Sequence, residues 1–267
     1  MVAIPERNRL RTPGRGPVSG PAGGGRLRDP GPALYRRFRT GARVGSRGNV
    51  GHNMGLRIDL HVHTRRYSPC SYINPDLLIR QAVRAGLDGL VITEHHYQWT
   101  PDELAALAAS SYEAHFLVMA GFEYATARGD LLVYGLDADE ASRFTPGMQP
   151  EEAVARIHNL GGVCIAAHPT RAGMGFDERL PNLPIDAIEV QSLNMKDHEQ
   201  RLAAQLARQA GFRPVAASDA HQLEGIGRYC TEFDTPIQSI ADLRNALISG
   251  TFRLIISTAE NRKLYDV

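Results

Sequence analysis

The chain has 267 residues and is 43% hydrophobic, ample for a buried core in one large or two small domains. Lys+Arg (30) and Asp+Glu (29) nearly balance, yet the first 53 residues hold eleven Arg against Glu6 and Asp29, which makes that segment +9 and the remainder −8. A body of that sign lacks the basic face on which duplex nucleic-acid binding rests, so no duplex is expected on the folded domain and only the tail is left for such a part.

Residues 1–53 contain eleven Gly and six Pro without sustained apolar periodicity and are expected to form a disordered basic tail. No apolar stretch follows the arginines, as a signal peptide would require, and Ser is too scarce for a transit peptide. Met54 directly precedes the first strand pattern, so the segment reads as an over-extended start; a basic arm contacting RNA or anionic lipid is the alternative. Cys70, Cys164 and Cys230 show no CxxC spacing, which argues against a disulfide framework or a thiolate zinc site and for a reducing cytoplasm. The longest apolar runs, such as 163–167, fall far short of the roughly 18 residues of a membrane span, so no membrane partner is expected.

From Leu56 onward, short apolar runs alternate with segments of helical period. Residues 56–60 read as a strand, and Asn74-Pro75 supplies an N-cap and an N1 proline for a helix ending at Gly86. Strand 89–93 follows, and Thr100-Pro101-Asp102-Glu103 forms a capping box opening a second helix. Strands at 116–120 and 131–134 precede a helix over 150–160 that closes on Gly161-Gly162. Strands at 163–167, 187–190 and 215–217 come next, the last two separated by a helix over about 197–210 that stops at Gly211. A helix over 239–249, ended by Gly250, precedes a strand at 252–256. About seven βα units without a break predict one parallel-stranded α/β domain over 54–267, either a closed barrel or a doubly wound sheet.

The polar residues favour the barrel. His61 and His63 follow the first strand, Glu94, His95 and His96 the second, Glu123 the third, His168 the strand at 163–167, and Asp219 with His221 the one at 215–217. Strand C-termini of a (βα) barrel form one face, where that fold builds its active sites. Six of the ten histidines collect there, whereas His52, His115, His158 and His198 lie in the tail, before a strand or on helices. Imidazole and carboxylate donors without thiolate suit divalent Zn, Mn or Fe, and a carboxylate such as Glu123 is able to bridge two ions.

The runs Ile58-Asp-Leu-His-Val-His-Thr64, Gly86-Leu-Asp-Gly-Leu-Val-Ile-Thr-Glu-His95, Gly121-Phe-Glu123, Ala167-His168-Pro169 and Ser218-Asp-Ala-His221, in this order over about residues 56–234, resemble the PHP (polymerase and histidinol phosphatase) superfamily. The resemblance implies a distorted seven-stranded TIM-like (βα) barrel holding two or three divalent metal ions. It implies that His61, His63, Glu123 and Asp219 hold one ion, Glu123 and His168 a second with Glu123 as the bridge, and His95 with His221 a third. Two departures stand out. Tyr67-Ser-Pro-Cys-Ser71 occupies the place where the family often has an acid or His, leaving Cys70 as a thiolate ligand or a buried thiol. Leu132 stands where many relatives carry His, with Asp130 two residues earlier as its substitute.

Other residues complete the expected site. Arg171 is placed to clamp a phosphate through its planar guanidinium, or else is a solvated loop residue. His96 reads as a proton donor to the leaving group or a surface residue, and Asn194 as an orienting hydrogen-bonder. Trp99 and Tyr67 flank the mouth, for stacking on a ring or for packing. The expected function is a metal-dependent phosphoesterase acting through metal-activated water on a small phosphorylated substrate, with Glu123, Asp219, His96 and Arg171 as its catalytic set. A non-catalytic metal-binding module that regulates a partner, and amide hydrolysis on the same ions, are the alternatives; the oligomeric state is left open.

Overall fold

The computed structural model describes residues 55–257 and 262–265, so the expected disordered tail lies outside the described residues. The strands are β1 (Leu56–Val62), β2 (Gly89–His95), β3 (Leu117–Ala125), β4 (Asp130–Tyr134), β5 (Val163–Ala167), β6 (Ala187–Gln191), β7 (Pro214–Ala216), β8 (Tyr229–Phe233), β9 (Phe252–Ser257) and β10 (Arg262–Tyr265). They form one mixed sheet in the order β10-β9-β8-β1-β2-β3-β4-β5-β6-β7.

Parallel pairing joins β1 to β2 to β3 and β5 to β6 to β7. β4 is antiparallel to both neighbours, and β8, β9 and β10 extend the sheet antiparallel beyond β1. This corrects the expected run of seven parallel units. A parallel crossover needs about a dozen residues, and only residues 126–129 separate β3 from β4, turning at Gly129 with φ of 92°. β8 escaped sequence reading because Thr231 and Glu232 interrupt its apolar pattern. Thr231 is consumed in the fold: its hydroxyl accepts from the Ala216 N–H (3.1 Å) and donates to the Ala216 carbonyl (2.9 Å).

The sheet curls until it nearly closes. Beyond β7, Ala220 bridges to Val62 in parallel, its carbonyl accepting from the His63 N–H at 3.1 Å. Inside lie Ile58, Leu60, Val91, Met119, Leu132, Tyr134, Ile165 and Val215, joined by Leu243 and Leu247 of α6 (Ile240–Ser249), which closes one end. The opposite strand faces carry Phe122, Leu131, Cys164, Ala166 and Ile188 against α4 (Pro150–Asn159) and α5 (Asp197–Ala210), and Leu90 and Ile92 against α1 (Pro75–Arg84) and α2 (Pro101–Ser111). Alternation along each strand thus separates an inner from an outer core. Tyr134 crosses the interior and donates to the Leu60 carbonyl (2.8 Å). Its ring needs Gly121 beneath it, since a Cβ there would lie 2.5 Å from the ring.

The helix starts follow their capping residues. Asn74 caps α1, and Thr100 with Glu103 forms the expected capping box of α2. A short α3 (Ala138–Ser142), opened by an Asp137–Glu140 capping box, lies in the β4–α4 connection and was not expected. Among the described residues no helix is long and apolar enough to cross a membrane.

Candidate metal centre

β1 places two histidines together through a break in its own alternation. Ile58 and Leu60 face the inner core, and the register with β2 then slips between Asp59 and Val62. A bulge re-aims the following side chains, so His61 and His63 take the inner face above Leu60, with Nε2 atoms 2.9 Å apart. Asp59, fully buried, anchors this turn by accepting from the N–H groups of Ser218 (2.8 Å) and Gly227 (2.9 Å). Burial raises the Asp59 carboxyl to about 6, against the lowering effect of those hydrogen bonds.

Glu123, near the end of β3, is the hub. Its Oε2 lies 3.6 Å from His61 Nε2, 3.3 Å from His63 Nε2 and 2.9 Å from His95 Nδ1, while Oε1 lies 2.9 Å from His168 Nε2. Asp219 Oδ1 reaches the same two Nε2 atoms at 3.4 Å each and His221 Nδ1 at 3.5 Å. Three donor groups emerge: His61, His63 and Asp219; Glu123, Asp130 and His168; and His63, His95 and His221. All eight expected ligands therefore converge on one end of the barrel. Asp130 is 3.9 Å from His168, and Leu132 pairs opposite Glu123 in the ladder.

The donors fit divalent metal ions. Four-coordinate zinc at about 2.0–2.2 Å from nitrogen and oxygen ligands sets those ligands roughly 3.4 Å apart, close to the 3.3–3.6 Å separating the His61 and His63 nitrogens from Glu123 and Asp219. His168 Nδ1 is buried without a hydrogen-bond partner among the described residues. Charge is concentrated accordingly. Burial alone would lower the His61 imidazole, but Asp219, Glu123 and Glu189 carry it well above its ordinary range. His168 is likewise pushed up to about 9, Glu123 overcoming the effect of burial. Burial would raise Glu123, yet His61 and His168 hold it well below the usual carboxylate range. Asp130 is raised to about 6 by burial and by Glu123.

Backbone strain gathers at the same end. His168 (φ 28°) and Asp219 (φ 50°) are non-glycine residues in the left-handed region, a conformation that persists only where surroundings enforce it. Glu189, fully buried on β6, does so for His168 by accepting its N–H at 2.7 Å, and its other oxygen lies 3.2 Å from His61 Nδ1. That contact fixes the tautomer of His61 and leaves Nε2 as its ligand atom. Asn194 orients Asp219 by donating to its Oδ2 (2.7 Å) and carbonyl (2.9 Å).

A cavity of about 330 Å³ opens over the centre, with Cys70, His95, Arg171, Met174, Asn194 and His221 around it. Arg171 has no side-chain partner among the described residues. His96 does not join the lining: its left-handed backbone (φ 56°) turns the ring edge-on to Tyr124, at 5.6 Å between centroids, which corrects its expected place beside the leaving group. Glu94 is likewise no ligand, since it accepts from the Thr64 N–H (3.0 Å), Ser68 Oγ (2.6 Å) and Trp99 Nε1 (3.0 Å) and so braces the loop after β1. Trp99 is buried and meets Tyr67 edge-on, while Tyr67 stacks on Tyr97 at 3.8 Å; both pack rather than face a ligand. Asp59, Glu189 and Ser68 were missed as site residues; an acid within an apolar strand, as in Ala187-Ile-Glu-Val190, is the signal that would have found Glu189.

Residues 197–252 match the family model described as PHP-associated. An uncharacterized protein of Methanocaldococcus jannaschii is 28% identical over 146 residues, covering 51% of this chain and 81% of its own. Among solved structures, a two-domain protein of Bacteroides vulgatus containing a predicted PHP-like metal-dependent phosphoesterase superposes with a TM-score of 0.58 at 18% identity, over 80% of this chain and 69% of that one. Endonuclease Q, in complex with a 27-mer duplex substrate bearing an abasic lesion at its active site, superposes with a TM-score of 0.56 at 16% identity, over 73% of this chain and 57% of that one. The last finding corrects the expectation of a small phosphorylated substrate and no duplex. This fold receives a duplex polynucleotide in Endonuclease Q, and net charge summed over a body does not describe the field at its mouth.

Proposed function

We propose that the chain is a member of the PHP superfamily and a metal-dependent phosphoesterase whose substrate is a phosphodiester of a polynucleotide, a reading supported by the PHP-associated match over residues 197–252 and by the shared fold. The carrying observation is Glu123, buried between His61, His63 and His95 on one oxygen and His168 on the other. In this reading His61, His63, Glu123 and Asp219 hold one divalent ion, Glu123, His168 and Asp130 a second, and His95 and His221 lie at the rim. Divalent ions held there supply Lewis-acid neutralisation of charge building on phosphoryl oxygens and a nucleophile at neutral pH. The chain's own residues orient and shield. Glu189 and Asn194 fix His61 and Asp219, and Arg171 offers at the mouth a guanidinium with no partner among the described residues for a non-bridging phosphate oxygen. The polynucleotide is favoured by the duplex seated on Endonuclease Q.

The test is product analysis on single-stranded and duplex oligonucleotides, intact and with an abasic site, alongside phosphomonoesters and amides, with and without Mn²⁺ or Zn²⁺. Expected is metal-dependent strand cleavage that Glu123→Gln removes almost entirely, because a neutral amide bridges two cations poorly, and that His198→Ala, on an exposed helical position, leaves intact. Release of product from an amide with no phosphodiester cleaved, or equal activity in both variants, overturns the reading.

A further inference from the structure

A second convergence of ligands lies away from the barrel mouth. His158, in the last turn of α4, Cys164, second residue of β5, and Asp186, just before β6, bring one donor atom each within 4.8 Å of the others. His158 Nε2 is 2.9 Å from Asp186 Oδ2 and 4.0 Å from Cys164 Sγ. The frame is rigid: the Cys164 N–H donates to Asp186 Oδ2 (2.8 Å) and the Asp186 N–H donates back to the Cys164 carbonyl (3.0 Å). Four residues of extended strand, about 13 Å, separate Cys164 from His168, and Cys164 points to the outer core with Ile157 and Ile188 rather than into the barrel.

We propose that His158, Cys164 and Asp186 form a zinc site, independent of the catalytic centre, that staples α4 to the start of β5 and β6. Thiolate, imidazole and carboxylate are all zinc ligands, and three of them with one water complete a tetrahedron. The required ligand separations of roughly 3.4–3.6 Å lie between the 2.9 Å and 4.0 Å that separate His158 from Asp186 and Cys164, and all three donor atoms already lie within 4.8 Å of one another, so side-chain adjustments of up to about 1 Å seat the ion. Asp186 Oδ2, the oxygen already 2.9 Å from His158 Nε2, is the carboxylate atom placed to ligate. The side chains of His158 and Asp186 are 33% and 20% exposed, which gives an ion a path from solvent to the buried sulfur. Packing alone gives no reason for this trio, since Val163, Ile165, Ala166 and Ala167 fill the rest of β5 with apolar side chains. Binding balances simply: the Cys164 thiol gives up its proton to solvent, the imidazole hydrogen moves from Nε2 to Nδ1, and sulfur, nitrogen and oxygen each donate a pair to Zn²⁺. At the strand N-termini such an ion serves stability, the role that end of a barrel commonly has.

Cobalt(II) reports this directly, because a thiolate ligand produces a near-ultraviolet charge-transfer absorption that imidazole and carboxylate do not. The full-length chain, stripped with a chelator and titrated with Co²⁺, should show that band, as should Cys70→Ser and Glu123→Gln. Cys164→Ser should lose it. His158→Asn, altering a part-exposed position, should fold and weaken the cobalt affinity read from the band by about tenfold or more, which keeps the test decisive if Cys164→Ser does not fold. Competing Zn²⁺ should erase the band and raise the melting temperature of Glu123→Gln by more than that of the Glu123→Gln/His158→Asn pair, the difference reporting the Cys164 site. No band at saturating Co²⁺, a band abolished by Cys70→Ser, or unchanged affinity in His158→Asn overturns the proposal and leaves an ordinary His158–Asp186 pair beside a buried thiol.

Discussion

Glu189 touches two elements of the centre at once, the His61 imidazole and the His168 backbone, and so controls both a tautomer and a strained φ. Its replacement in Glu189→Ala should cost about 10–100-fold in metal affinity, the usual effect of removing a group that orients a ligating histidine. Competition against a chelator measures it; unchanged affinity would make Glu189 a bystander. Asp130 gives a pH signature. Its carboxyl is raised to about 6, so below that pH it holds a proton that the second ion must displace, and above it the carboxylate is already free. Between pH 7 and 5 the second-ion affinity of the native chain should therefore fall more steeply than that of Asp130→Asn, and parallel slopes would remove Asp130 from the site. Legibility divided on one line at this scale. Most ligands could be named because they fall near or just past strand ends in motifs taken in a set order, Asp130 at the start of β4 being the exception, whereas Asp59 and Glu189 sit inside strands where sequence shows only an acid among aliphatics. His96 misled because adjacency to His95 carries no information about a backbone that turns left-handed between them.

At the scale of elements, the β3–β4 hairpin decides what overhangs the centre. Arg128 at its tip makes two-pronged contacts with Asp177 (3.0 Å to each oxygen) and Glu151 (2.7 Å to each), tying the hairpin to the segment after β5 and to α4. That segment carries Arg171 and Met174 at the mouth, and Phe176 packs over Gly129, where the left-handed turn leaves no space for a side chain. Solvent-screened ion pairs at the surface contribute little to global stability, and these are partly exposed, so Arg128→Ala should lower the denaturation midpoint only slightly while speeding amide exchange across 171–182 and raising KM more than it lowers kcat. Unaltered exchange in that segment would show that Pro169 and Gly175, already hydrogen-bonded within it, hold it unaided. Apart from β8 and β10, the strands were readable from apolar runs between turns. Their directions were not: antiparallel β4 follows from a short loop, antiparallel β8 was not read at all, and apolar periodicity is identical for either direction.

Seen as one molecule, the barrel has a wet, charged end and a closed apolar end plugged by α6, and the number of ions it keeps follows from how donors are shared at the former. His63 belongs by distance to two donor groups. Its Nε2 faces His61, Glu123 and Asp219, while its Nδ1 is engaged 3.3 Å from Ser68 Oγ. One nitrogen serves one ion, so His63 is committed to the buried group and the third group is reduced to His95 and His221, whose side chains are 40% and 24% exposed. Two imidazoles open to water replace little of an ion's hydration and bring no carboxylate, whereas the first group brings Asp219 with the shared Glu123 and the second brings Glu123 with Asp130. Elemental analysis of extensively dialysed protein should therefore return between about one and two ions per chain, counted in His158→Asn so that the weakened Cys164 site contributes little. Activity should rise on adding Mn²⁺ as the weaker positions fill. Three firmly held ions in that variant would refute the sharing argument and point to Cys70, which lines the same cavity beside His95 and His221, as an added donor, in which case Cys70→Ser should release the third.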